Sequence, residues 1–210
     1  MKKENLFVGG LMFAYIKGML DTKTNNYVIV ETSGIGYKIF MSLKSIESLG
    51  DVGTSVKIYT HYYVREDNIS LYGFTSNDEL RMFELLLSVS GIGAKSAIAM
   101  LSEITPSSFA LAVISNDVSK LVKIPGIGKK TVARIVLELK DKLKTEETMT
   151  ENEEIEVVIK EDNKNSELIA ALQVLGYTRK EIDKVLEKMN VDSVGIEDAI
   201  KQALKLLQNV

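Results

Sequence analysis

The chain has 210 residues, 45% of them hydrophobic, and 26 basic against 29 acidic side chains give a formal net charge of -3. It contains no Cys, and its only His is His61. These facts exclude disulfides, iron–sulfur clusters, thiol nucleophiles and a multi-His metal site within one chain. No apolar run approaches membrane-spanning length and no secretion signal is evident, so a cytoplasmic location and no membrane partner are expected. The charge is unevenly spread. Residues 145–165 hold eight acids and two bases, whereas residues 77–142 hold nine bases and seven acids. The balance therefore permits a nucleic-acid partner without suggesting one.

Residues 1–11 read as an addition to the fold, because a second Met at position 12 opens a strand-like run through Ile16. Residues 12–75 carry strand signals. Tyr27 to Val30, Tyr37 to Met41, Val56 to Val64 and Ile69 to Phe74 are rich in β-branched and aromatic residues, and Ser33-Gly34-Ile35-Gly36 reads as a hairpin turn. A short helix fits Leu43 to Leu49. Five short strands in so few residues predict a small closed barrel. His61 lies in an alternating strand without partner ligands, which predicts a structural role. Its neighbours Tyr62 and Tyr63 are of the type that stacks bases, but alternation places one of them in the core.

From Asn77 the spacing turns helical, with Leu80, Phe83, Leu86 and Leu87 on one face, and it stays helical to about Leu143, giving a domain over residues 76–143. Residues 144–165 read as a flexible acidic linker, with Ile155 to Ile159 as a stray apolar patch. Residues 166–210 fit three short helices, the second opened by the capping-box pattern Thr178-Arg179-Lys180-Glu181 and the third preceded by Gly195. A core this small on a loose tether predicts a docking module.

The helical domain contains an internal duplication at an offset of 35 residues. Leu86 aligns with Leu121, Val89 with Ile124, Gly91-Ile92-Gly93 with Gly126-Ile127-Gly128, Lys95 with Lys130 and Ser96 with Thr131. In each copy a helix ends, glycines turn the chain and a new helix starts. Backbone amides of such a turn, together with the unbonded donors of the new helix's first turn, make an anion site. Lys95, Lys129 and Lys130 add positive charge, and Ser96 and Thr131 add hydroxyl donors. A site of this kind grips phosphate and reads no base edge. One copy alone is as readily a plain turn between helices, but two copies in register are not. A nucleotide-binding loop would need a preceding strand and Gly-x-x-x-x-Gly-Lys-Ser/Thr, and neither is present.

Taken in order, Ser33 to Tyr37, His61 to Asp67, Leu71 to Phe74, Gly91 to Lys95, Ile124 to Thr131 with Ala133, and Leu175-Gly176-Tyr177 resemble the RuvA family of Holliday-junction-binding subunits. The resemblance runs from Met12 to the C-terminus. It implies a multidomain α+β protein: an oligonucleotide-binding (OB-fold) barrel, a tandem helix-hairpin-helix domain, a flexible linker and a UBA-like three-helix module. It implies a non-catalytic, cofactor-free and metal-free homotetramer in recombination and DNA repair. The tetramer would hold a four-way DNA junction open and square and recruit the hexameric ATPase RuvB. An octamer on DNA and the resolvase RuvC are further partners that it raises.

The resemblance also assigns roles to residues. DNA contacts fall to Gly91, Gly93, Lys95, Ser96, Gly126, Gly128, Lys129, Lys130 and Thr131. Glu66 and Asp67 form an acidic pin at the crossover, where carboxylates repel phosphates over about a Debye length, ~8 Å at physiological salt. Leu172, Leu175 and Tyr177 are candidates for the motor contact, with a plain core role as the alternative. The rival reading is a helix-hairpin-helix DNA glycosylase or lyase with Lys130 as Schiff-base nucleophile; a pure protein scaffold is a third.

Overall fold

A computed structural model describes residues 13–65, 69–122, 124, 127–149 and 164–208. Glu66, Asp67, Gly126 and the patch at Ile155 to Ile159 lie outside the described residues. The chain divides into two compact units, with the division falling between Leu80 and Arg81.

The first unit is a closed five-stranded barrel in the order β1-β2-β3-β5-β4, built from β1 (Tyr15–Lys23), β2 (Tyr27–Thr32), β3 (Ile35–Phe40), β4 (Ser55–Val64) and β5 (Ile69–Phe74). Alternation along the strands sends Val28, Val30, Ile39, Val56 and Ile58 into one core with Ile16 and Leu20. The helix α1 (Leu43–Ser48) packs Ile46 onto that core, and the Ser42 side chain accepts the Ser45 amide to start it. Closure comes from β3 and β5, which run parallel with Phe40 opposite Tyr72.

Two details differ from the sequence expectation. The first strand is longer than Met12 to Ile16. It runs to Lys23 and pairs with β4 through its first half and β2 through its second, with a bulge between Leu20 and Thr22. Gly18 disguises this by interrupting the apolar pattern. Glycine is needed there, because a Cβ would run into the Glu31 carbonyl of β2. The hairpin turn is also shorter than expected. Only Ser33 and Gly34 form it, at φ 53° and 79°, as a two-residue turn of the twist that suits paired strands. Ile35 and Gly36 already pair with Thr32 and Glu31.

The second unit is helical: the C-terminal part of α2 (Asn77–Leu87), then α3 (Ala94–Glu103), α4 (Pro106–Ile114), α5 (Val118–Val122), α6 (Lys129–Met149), α7 (Lys164–Val174), α8 (Arg179–Leu186), a 3-10 turn (Val191–Ser193) and α9 (Ile196–Leu207). The central element is α4. Thr105 caps it, Pro106 begins it, and Phe109, Ala110, Ala112 and Val113 are all buried. A helix apolar on most sides must be surrounded, and α4 packs against α5, α6, α7 and α9. The helix α6 continues past Leu143 to Met149, into the segment read as linker, and α7 begins at Lys164 rather than Ser166.

The C-terminal helices pack onto this unit. The Ser108 hydroxyl donates to Glu197 Oε1 at 2.8 Å. Arg81 donates to the Gly176 carbonyl at 2.8 Å, lies 3.8 Å from Glu181 and sits 4.2 Å above the Tyr177 ring. The capping box at Thr178 and Glu181 forms as expected. Hydrogen bonds from the Thr178 amide and hydroxyl hold the Glu181 carboxyl below the usual carboxylate range, as those from Ser108 and then Lys201 do for Glu197.

Gly18→Ala is expected to destabilise the barrel by about 1–3 kcal/mol, the usual cost of forcing extra volume against rigid packing. Thermal denaturation followed by far-ultraviolet circular dichroism checks this, and an unchanged midpoint would contradict the close approach of β1 to β2.

Candidate nucleic-acid interface

The duplication seen in the sequence is reproduced bond for bond in the backbone. In the first copy the Val89 amide donates to Leu86 O, the Ile92 amide to Val89 O and the Ala97 amide to Gly93 O, at 3.1, 3.1 and 3.0 Å. In the second, Ile124 donates to Leu121 O, Ile127 to Ile124 O and Val132 to Gly128 O, at 3.3, 3.2 and 3.1 Å. The middle residues Ile92 and Ile127 are both buried, as are Leu86 and Leu121 beneath them. The isoleucine plugs the turn into the core, and burial there fixes the direction in which the glycines face.

Helical bonding starts only at Ala97 and Val132. The amides of Ala94, Lys95 and Ser96, and of Lys129, Lys130 and Thr131, come before the first helical bond, and helix geometry directs such amides out of the N-terminus. Gly93 caps α3 without any side-chain bond, and a Cβ on Gly93 or Gly128 would meet nothing within 4 Å. Gly91 adopts φ 86°, a conformation that L side chains rarely take. Gly91, Gly93, Gly128, Lys95, Lys129 and Lys130 are exposed, and Ser96 and Thr131 half-buried. The described members of the predicted set thus gather at the starts of two helices, where positive partial charge and free donors favour an anion.

Two further residues of this site carry no local sequence signal. From α6, Arg134 donates to the Ser90 carbonyl at 3.2 Å, and Glu138 accepts the Ser90 amide at 3.1 Å. The second copy's helix thereby grips the first copy's turn, across 44 and 48 residues of chain. The guanidinium also lies 3.3 Å from where a Gly91 Cβ would be, so it adds positive charge beside the first hairpin. At the 35-residue offset Arg134 aligns with Ala99 and Ser90 with Pro125, which has no amide hydrogen, so the sequence does not repeat the residues of the brace. A single-copy pattern is invisible to a search for repeats.

The remaining candidates are placed as follows. Glu66 and Asp67 lie outside the described residues, between β4 and β5, whose last pair is Val64 with Ile69. Tyr62 continues the inward side of β4 and meets Phe13 edge-on, whereas Tyr63 and His61 lie on the outward side, 6.4 Å apart. Leu172, Leu175 and Tyr177 are 0%, 1% and 4% exposed, so in this arrangement they serve as packing residues. Lys130 is exposed at a helix start. A Schiff-base lysine would need an apolar pocket or a second cation to lower its pKa. Lys129 stands beside it, but such a pocket does not surround it.

Comparison with known proteins agrees with this architecture. A model of the RuvA N-terminal domain matches residues 12–73, one of a SAM-like helix-hairpin-helix tandem matches residues 83–141, and one of the RuvA C-terminal domain matches residues 163–208. A protein of Acetivibrio thermocellus is 50% identical over 198 residues, covering 92% of this chain and 98% of its own length. One of Ruminiclostridium cellulolyticum is 49% identical over 201 residues, covering 93% and 100%. One of Clostridium beijerinckii is 45% identical over 200 residues, covering 93% and 99%. All three are named Holliday junction branch migration complex subunit RuvA.

This chain belongs to the RuvA family. The RuvA N-terminal match spans the barrel, the tandem match spans both Gly-Ile-Gly turns, and the RuvA C-terminal match spans α7 to α9. None of these relatives bears a glycosylase or lyase name, and that rival is not favoured.

Glu138→Ala should release the first turn of the RuvA tandem domain. The expected result is faster amide hydrogen exchange at Ser90 with a stability loss of about 1 kcal/mol, as for one exposed hydrogen bond. Exchange unchanged from the parent would show that the brace does not form in solution.

Proposed function

We propose that this protein binds four-way DNA junctions through backbone phosphates, independently of sequence, and acts as the DNA-binding subunit of a branch-migration complex. The observation that carries the reading is the repeated hydrogen-bond pattern of the two hairpins, each ending in outward amides beside exposed lysines. Gly91, Gly93, Lys95 and Ser96 hold one phosphate. Gly126, Gly128, Lys129, Lys130 and Thr131 hold a second. Such contacts position the duplex and carry no base information.

The finer parts of the proposal follow from family membership. The subunit assembles as a homotetramer and presents Glu66 and Asp67 at the crossover, where their charges oppose misplaced backbone. It recruits the ATPase RuvB, with RuvC as a further partner and an octamer as the form enclosing DNA. The motor supplies the energy of strand exchange, so this subunit needs no catalytic group of its own. Among the described residues no single helix is long and apolar enough to cross a membrane, and a cytoplasmic site of action is part of the same proposal.

The double variant Lys95→Ala/Lys130→Ala is expected to weaken junction binding and to flatten its dependence on salt by about 0.9 for each phosphate no longer neutralised. Gel shifts of a four-way junction and a linear duplex of equal length, across a salt series, check both parts. An unchanged slope would remove phosphate capture from these hairpins.

A chain ending at Met149 keeps both hairpins and all of α6. It is expected to retain the junction shift while failing to stimulate the ATPase activity of RuvB. Stimulation by the truncated chain would take the motor contact away from the C-terminal helices.

A further inference from the structure

The outward side of the barrel carries a feature that the hairpin mechanism leaves unused. Four rings from four strands stand in an unbroken row. Tyr27 and Phe40 have centroids 6.2 Å apart, Phe40 and Tyr72 5.9 Å, and Tyr72 and Tyr63 5.7 Å. The strand register sets the row, since Tyr27 lies opposite Phe40 and Phe40 opposite Tyr72. A cation stands at each end. The Lys38 ammonium is 4.1 Å from the Tyr27 centroid and 5.3 Å from that of Phe40, and the Arg65 guanidinium is 5.2 Å from that of Tyr63. We propose that this row is a second DNA site, which binds a single unpaired strand by stacking its bases on the half-buried rings of Tyr27, Phe40 and Tyr63, with the buried Tyr72 as their support, and its phosphates against Lys38 and Arg65.

Three properties of the row select that ligand. The rings at its two ends meet their neighbours edge to face, at interplanar angles of 68° and 87°, so each end ring keeps at least one face that this neighbour does not cover. What covers the faces of Tyr27 and Tyr63 instead is a long cationic side chain that is itself exposed. Such a side chain can swing to a phosphate and leave the face to a base, exchanging a cation–π contact for stacking plus an ion pair. The ring spacing near 6 Å exceeds the rise of about 3.4 Å per step in one strand of a duplex. Splayed bases fit that spacing, and stacked ones do not. A duplex hides its base faces and has nothing to offer the row.

The placement gives the site a purpose. Tyr63 lies near the end of β4 and Arg65 just past it, next in the chain to Glu66 and Asp67. An Arg65 Nε–H bond to the Tyr63 hydroxyl at 2.8 Å ties the two together. Tyr72, in the middle of the row, is buried, and that burial and then the neighbouring Tyr63 phenol push its hydroxyl up. Strands changing partners at a crossover are briefly unpaired, and this row would receive their bases. The use at a junction rests on the proposed function above, but the binding of an unpaired strand does not.

The test titrates the full-length protein with an oligo-dT of about 15 nucleotides, within the ~4–16 nucleotides that one barrel of this class covers. The chain has eight Tyr and no Trp, so quenching of intrinsic tyrosine fluorescence reports stacking directly. The variant Phe40→Leu/Tyr63→Leu keeps apolar bulk and is expected to weaken oligo-dT binding by at least about tenfold, as loss of two stacked bases requires. It should leave four-way-junction affinity unchanged, and Tyr63→Phe should retain the binding that Tyr63→Leu weakens. The surface pair Lys38→Ala/Arg65→Ala, which spares the fold, should flatten the salt dependence of oligo-dT binding by about 1.4, or ~0.7 for each single-strand phosphate.

Three results would overturn the proposal. One is oligo-dT affinity unmoved by both double variants. Another is oligo-dT binding that disappears in Lys95→Ala/Lys130→Ala along with junction binding, which would place the single strand on the hairpins. The last is a change in sedimenting mass of the ring variant, which would make the row a face between copies. Failure of the hairpin reading is seen separately, as junction binding that survives Lys95→Ala/Lys130→Ala.

Discussion

An α-helix cannot bond its own first amides, and the way those amides are left open governs the rest of this molecule. At Gly93 no side chain caps them, a Cβ on Gly93 or Gly128 would meet open space, and the buried isoleucine before each glycine anchors the turn in the core. The energy available from one such terminus is small, about 0.3–1 kcal/mol at an exposed site and up to ~2 kcal/mol where partly buried. One hairpin is therefore too weak to hold DNA. Duplication within the chain doubles the contacts, and linked contacts raise affinity far beyond their individual strengths when their spacing matches the ligand. Spacing is what the Arg134 and Glu138 brace supplies. It ties the first turn to the helix that starts at the second, so the two proposed phosphate sites are linked directly.

The C-terminal helices present a different balance. A module of this size has little core of its own, and in this structure Leu172, Leu175 and Tyr177 are spent on packing. Arg81 adds a carbonyl bond, an ion pair and a ring contact to the same corner. An exposed ion pair contributes little by itself, but the Tyr177 ring and the apolar surface of α4 are both buried. Using those three apolar residues to grip a motor would first require parting them from this core. Exposed polar faces of α8 and α9 carry no such cost.

Much of this was legible in the sequence because it repeats or alternates. Strand alternation gave the barrel, and the 35-residue offset gave both hairpins with their lysines. The capping pattern at Thr178 and Glu181 located α8. What escaped was set by contacts distant in the chain. Gly18 interrupts the apolar pattern of β1, yet it is the point at which β1 crosses close to the Glu31 carbonyl. Arg134 and Glu138 carry no local pattern, because α3, α4 and α5 separate them from their partner Ser90. The ring row escaped for the same reason. Tyr27, Phe40, Tyr63 and Tyr72 come from four strands, and only barrel closure through Phe40 and Tyr72 brings them side by side.

Phosphate contacts alone cannot explain preference for a junction, since every duplex offers the same backbone. Selectivity must come from geometry: how many hairpins engage at once, and what the centre of the assembly does to DNA that is not crossed. In the proposed four-fold arrangement a linear duplex would reach the hairpins of some subunits only, whereas four arms would reach all of them. Glu66 and Asp67, placed at the centre by that same proposal, would add a penalty for any backbone that runs straight across, within about one Debye length, ~8 Å at physiological salt. Attraction at the rim and repulsion at the hub would then act in the same direction. Neither needs a base-specific contact, and a complex that must travel along DNA of any sequence can tolerate none.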